Sequence, residues 1–106
     1  MTTATFFAHD QKWTGVTVSG HAGFADEGYD IICASISASV QMAANLLTEV
    51  YHLPASVVVE EESISISVAS ITDENASLLL QGLYLQLQLL EEEAPDCLQV
   101  RTASTP

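Results

Sequence analysis

Hydrophobic and polar positions follow two different rhythms along this chain, one of period two and one of period near 3.6. Thr3 to Ala8 has β-type composition with Phe6 and Phe7 on opposite faces, and Trp13 to Ser19 alternates Val16 and Val18 against Thr17 and Ser19. The polar run His9-Asp10-Gln11-Lys12 between them suits a turn, so the two segments predict a hairpin. From about Asp30 to His52 the period lengthens: Ile32, Ile36, Val40, Ala43, Leu47 and Val50 recur at steps of three or four. That spacing predicts a helix, stopped ahead of Pro54 because the residue before a proline is pushed out of the helical region. Val57 to Val59 and Ser63 to Ala69 return to β-type composition, the latter with Ile64, Ile66 and Val68 set against serines. Glu60-Glu61-Glu62 separates them, predicting a second hairpin that turns at the glutamates. A second helix follows from about Asp73 to Glu93, with Thr72 or Asp73 as N-cap, and Pro95 ends it. Cys97 to Arg101 fits a final strand with Leu98 and Val100 inward, and the tail from Thr102 is expected to fray. The order β-β-α-β-β-α-β predicts one α+β domain over residues 1–106, a mainly antiparallel sheet with two helices.

The second helix carries more apolar surface than one buried face requires. Leu79, Leu80, Leu83, Leu87 and Leu90 form one face, and Leu78, Leu85 and Leu89 add another strip among Gln81, Gln86 and Gln88. The surplus points to a homodimer. Small residues at Ala34, Ser35, Ala38 and Ser39 allow close approach to the first helix. Glu91-Glu92-Glu93 opposes the helix dipole and has no explanation in the sequence beyond solubility.

Composition narrows the function. With 106 residues, 48% of them apolar, the chain is globular and builds one modest core. No uncharged apolar run of eighteen residues suggests a membrane span, and no basic start followed by an apolar run suggests a signal peptide, which points to the cytoplasm. Cys33 and Cys97 are then expected as free thiols. Fourteen acidic residues against two basic ones give a formal charge of −12. Such a field argues against a nucleic-acid partner and suits a basic protein, although acidity also serves plain solubility.

The chemistry concentrates between Gly20 and Ser39. A strand ends at Gly20, a loop containing Gly23 and Gly28 follows, and Asp30 is a good N-cap. Asp30 as cap places Cys33 at the third helical position, where free N–H groups and the helix dipole favour a thiolate. His21, at the other end of the loop, is a candidate general base and acid for that thiol. Asp30 has a competing role in orienting His21, with capping ranked first. The loop from Ala22 to Tyr29 has the glycines of a lid. Each feature also has an ordinary reading. A cysteine in an apolar helix is commonly a core residue, His9 and His52 read as turn and helix-end residues, and the glutamate run is better read as a solvated turn than as a peptide-binding element.

Gly20-His21-Ala22, Gly28-Tyr29-Asp30-Ile31-Ile32-Cys33-Ala34 and Ser37 together resemble the ribosomal-processing cysteine protease family, known as Prp. Ser35 departs from the alanine of many relatives, and the C-terminal half matches in pattern only. The resemblance implies a Cys-His endopeptidase with Cys33 as nucleophile, His21 as proton donor and acceptor, supporting positions at Gly20, Asp30 and Ser37, and no cofactor. It implies as substrate a basic ribosomal protein precursor, the large-subunit protein L-twenty-seven, whose short N-terminal extension carries apolar residues and an aromatic residue before the cut. The oxyanion is expected to rest on backbone N–H groups near the helix start, that of Cys33 included. Two alternatives remain open: a redox-sensing binding protein using Cys33, and a non-catalytic acidic assembly factor that binds ribosomal proteins. A zinc site from Cys33, His21 and Cys97 lacks paired-ligand spacing.

Overall fold

The computed structural model describes residues 1–20 and 27–105 of the chain, with backbone alone for residues 27–30. Strands β1 (Thr2–His9) and β2 (Lys12–Ser19) form the first hairpin. Its turn places Asp10 and Gln11 at φ 49° and 65°, the double left-handed geometry that matches the strand twist. A bulge between Phe7 and Ala8 leaves Thr14 out of the register, and its hydroxyl donates to the Phe7 carbonyl at 3.2 Å. Helix α1 (Glu27–Asn45) continues into a single wide turn, α2 (Leu46–Val50), with π-type hydrogen bonding. Strands β3 (Ser56–Val59) and β4 (Ser63–Ser67), helix α3 (Glu74–Glu93) and strand β5 (Leu98–Ser104) complete the chain.

The sheet order is β3-β4-β2-β1-β5. Three of the pairings are antiparallel, whereas β1 and β5 run parallel, from Thr2 opposite Leu98 to Ala8 opposite Ser104. One sheet face carries Ala4, Phe6, Val16, Val18, Ile66 and Leu98, which are buried with Ile36, Val40, Ala43 and Leu47 from the first helical segment and Leu80, Leu83, Leu87 and Leu90 from α3. The opposite face bears hydroxyls, and Thr17 and Ser65 meet there at 3.1 Å in register. Period-two strands and period-3.6 helices thus bury one face each, and the expected α+β architecture is the one observed.

Several boundaries differ from expectation. The first helix starts at Glu27, three residues before Asp30, so Asp30 is a helical residue and not the cap. Acidic Glu27 and Asp30 both suit a helix start, and a glycine is tolerated there. The regular helix stops at Asn45 rather than His52; after the wide turn, His52 takes φ 53° and the Leu53 N–H returns to the Leu47 carbonyl at 2.8 Å. Ile31–Val50 has the length and the mean hydropathy, 1.5, of a membrane span, but its Ile36, Val40, Ala43 and Leu47 face forms the core of this domain. The tail does not fray at Thr102, because β5 pairs with β1 through Ser104 and Thr105 N–H donates to Ala8. Asp73 caps α3, accepting from the Asn75 N–H at 2.9 Å. The glutamates closing α3 acquire a role as well: Glu91 accepts the Val100 N–H of edge strand β5 at 2.8 Å.

Candidate active site

A cleft of about 320 Å³ lies between the β3–β4 hairpin and the first helix. Its geometry follows from register. Val18, Ile64 and Val59 lie opposite one another on neighbouring strands, on the core side of the sheet, and all three line the cleft. Cys33, Ile36, Ser37, Val40 and Gln41 of α1 form the facing wall. Ile36 and Val40 are buried, Cys33 is half-buried, and Ser37 and Gln41 are exposed. Glu60, Glu61 and Glu62 form the rim, so the solvated turn read from the sequence also borders this cavity.

Gly20 joins the cleft to the end of β2. It has φ 84°, and a Cβ there would lie 2.5 Å from the Met1 carbonyl oxygen, so this position admits glycine alone without movement of the backbone. The Thr2 hydroxyl donates to the Gly20 carbonyl at 3.0 Å, and the Gly20 N–H donates to the Glu62 carbonyl at 3.2 Å. These bonds hold the end of β2 between the start of β1 and the glutamate turn.

The other expected site residues fall as follows. Cys33 is the seventh residue of α1, in its second turn, and not the third residue in the first. The dipole effect fades within the first turn, and an interior helical amide is committed to the carbonyl four residues back. The Cys33 N–H is therefore not free to hold an oxyanion. Asp30 lies on α1 three residues before Cys33, at backbone level. His21 lies outside the described residues, as does the expected lid between residues 22 and 26, while residues 27–29 belong to α1. Ser37 is distinguished from its neighbours. Ser35 donates back to the Ile31 carbonyl at 3.0 Å and Ser39 to the Ser35 carbonyl at 2.8 Å, whereas the Ser37 hydroxyl has no partner among the described residues and borders the cleft. Both cysteines are free thiols, and Cys97 is not part of the cleft wall. Gln41 was missed from the sequence; its one signal is position, eight residues after Cys33 and thus on the same helix face.

A family model described as Cysteine protease Prp matches residues 1–99. The chain belongs to the Prp cysteine protease family. It is 27% identical over 101 residues to the ribosomal processing cysteine protease Prp of Bacillus subtilis, covering 90% of each chain. It is 30% identical over 84 residues to the Prp of Staphylococcus aureus, covering 77% of this chain and 79% of that one. Among solved structures, a Streptococcus mutans protein superposes with a TM-score of 0.90 at 27% identity, covering 99% of this chain and 96% of its own. The Staphylococcus aureus Prp in complex with a covalently linked product peptide superposes with a TM-score of 0.80 at 28% identity, covering 97% and 100%. The protein is thus a cysteine protease, and Cys33 is the one of its two cysteines that borders the cleft.

Proposed function

We propose that this Prp-family protein removes a short N-terminal extension from a basic ribosomal protein precursor, the large-subunit protein L-twenty-seven, in the cytoplasm during ribosome maturation. The observation that carries this reading is the half-buried Cys33 on the wall of a cleft with an apolar floor and an acidic rim. The Val18, Ile36, Val40 and Ile64 floor suits apolar residues of the extension, and the charge of −12 draws a basic partner.

Cys33 attacks the scissile carbonyl as a thiolate, having given its proton to His21. The tetrahedral intermediate collapses by breaking the C–N bond, and His21 returns the proton to the leaving amine. His21 then takes a proton from water, which attacks the thioester; the acid product leaves and Cys33 regains its proton. His21 follows directly on Gly20, which lines the same cleft as Cys33. Ser37, one turn after Cys33 and without a partner among the described residues, donates a hydrogen bond to the bound substrate. Asp30 orients His21, since its capping role is gone.

Incubation with a peptide spanning the extended N-terminus, read by mass spectrometry, is expected to give a single cut. His21→Ala slows it by about 10²–10⁴-fold. Undiminished cleavage by a folded His21→Ala protein removes the dyad from the mechanism.

A homodimer is part of the same proposal. Leu78, Leu85 and Leu89 are 65%, 52% and 56% exposed along one side of α3, and Met42 of α1 is 64% exposed beside the groove between the helices. Gly82, at that groove, has open space where a side chain would stand, so a second helix can come close. Leu85→Glu with Leu89→Glu is expected to halve the mass measured by sedimentation. An unchanged mass rules out this face as the interface.

A further inference from the structure

We propose that Thr2 is a positioning residue of the dyad: its hydroxyl fixes the peptide unit through which Gly20 leads into His21, and so the approach of the base to Cys33. This rests on the protease reading above. Thr2 is 5% exposed, the one buried polar residue among those described, and it lines the same cleft as Gly20 and Cys33. Its own place is fixed from outside the site. Thr2 stands opposite Leu98 in the β1–β5 pairing, and its N–H donates to the Cys97 carbonyl at 2.9 Å. A β-branched side chain has few χ1 choices, so the direction of the hydroxyl is set once the strand is. That hydroxyl donates to the Gly20 carbonyl at 3.0 Å.

Gly20 depends on this bond more than another residue would. Its φ of 84° and the Met1 carbonyl oxygen, 2.5 Å from where a Cβ would stand, exclude a side chain. The position is therefore held by the residue with the least conformational restraint of its own. The Gly20 N–H, bonded to the Glu62 carbonyl at 3.2 Å, fixes the peptide unit before Gly20. The Thr2 hydroxyl fixes the unit after it. A peptide unit is planar, so a carbonyl, the next N–H and the next Cα turn as one body. Release of the Gly20 carbonyl frees rotation about the Gly20 Cα–C bond, and with it the direction in which the chain enters residue 21. A turn of about 15° there carries a group about 5 Å from the axis through roughly 1 Å, a displacement that costs up to about 10²-fold in rate at a reacting centre. A general base works only within hydrogen-bond reach of the proton it takes, about 2.6–3.2 Å, a window narrower than that displacement. The Thr2 hydroxyl hydrogen is committed to Gly20, so its part is placement and not proton transfer.

The test measures peptide cleavage by the full-length wild type, Thr2→Val, Thr2→Ser, His21→Ala and the Thr2→Val, His21→Ala double variant, each well below its melting temperature. Thr2→Val keeps the shape and removes the donor, and is expected to lower kcat about 10–100-fold with KM nearly unchanged. Thr2→Ser keeps the donor and restores most of kcat. In the His21→Ala background Thr2→Val has no further effect, because residues that act as a unit are not additive. Should Thr2→Val fail to fold, Thr2→Ala carries the same expectation with less crowding at the carbonyl. Full kcat in folded Thr2→Val or Thr2→Ala protein, a change confined to KM, a Thr2→Ser protein as slow as Thr2→Val, or an equal further loss in the His21→Ala background overturns the positioning role. Each of these, with His21→Ala itself slow, leaves the dyad standing. Full activity in folded His21→Ala protein removes the dyad and the positioning role with it.

Discussion

Cys33→Ser is expected to abolish peptide cleavage, with a loss on the order of 10³-fold or more, while the protein stays folded. The two side chains differ by one atom, and Cys33 is only half-buried, so packing changes little. The chemistry changes a great deal. Sulfur is intrinsically the stronger nucleophile and a thiol is far more acidic than an alcohol, so a site arranged to activate a thiol does not activate a serine hydroxyl. Loss of the nucleophile removes the covalent route altogether, and what remains is binding without reaction. Mass spectrometry of the peptide products checks the activity, and a thermal melt checks the fold. Cys97→Ser provides the contrast. Cys97 precedes β5, apart from the cleft wall, and its replacement is expected to leave cleavage intact. Full activity in folded Cys33→Ser protein would exclude Cys33 as nucleophile.

Phe6→Ala is expected to cost about 3–5 kcal/mol of folding stability, the largest effect of any single core truncation in the chain. Phe6 is fully buried in a central strand. Its ring meets Trp13 edge-on at 5.5 Å and Tyr84 edge-on at 5.1 Å. Those two rings lie 4.8 Å apart, and Trp13 donates from its indole N–H to Gln81. The cluster ties the first hairpin to α3, so a void there lies between elements that are each held by their own hydrogen bonds and do not collapse readily. Domains of this size are stable by about 5–15 kcal/mol, so the variant sits near the edge of unfolding. Thermal denaturation by circular dichroism is expected to show a drop on the order of 15 °C or more. A shift under about 5 °C would show that the site repacks and that the aromatic contacts contribute little.

The hydrophobic rhythm made the seven main elements legible, because each strand and helix buries one face and announces it every second or every third to fourth residue. The cap of α3 was legible to within one residue, Thr72 or Asp73, because both side chains can accept from a free helix N–H, and the structure selects Asp73. Asp30 was misread as a cap. Glu27, Gly28 and Tyr29 are compatible with either a loop or a first helical turn, and nothing local decides between them. That shift of three residues moved Cys33 from the first turn to the second and withdrew its amide from the oxyanion role. The bond from Val100 to Glu91 and the β1–β5 pairing were not readable, because both join residues through the topology of the sheet rather than through spacing. Within the candidate site, the motif singled out Cys33 and Ser37 as candidates, but the cleft they share with Glu60–Glu62 joins helix and hairpin through the tertiary fold, which no periodicity encodes.

The parallel pairing of β1 with β5 also sets the order of events during synthesis. Until residues 98–104 have left the ribosome, β1 has a partner on one side only, and its other edge is open to stray strands. The Thr2 N–H, at the beginning of that strand, donates to the Cys97 carbonyl, while the Thr2 hydroxyl holds Gly20 at the cleft. In a chain built this way, the strand whose first residue holds Gly20 at the cleft gains its second neighbour only after residues 98–104 have been made.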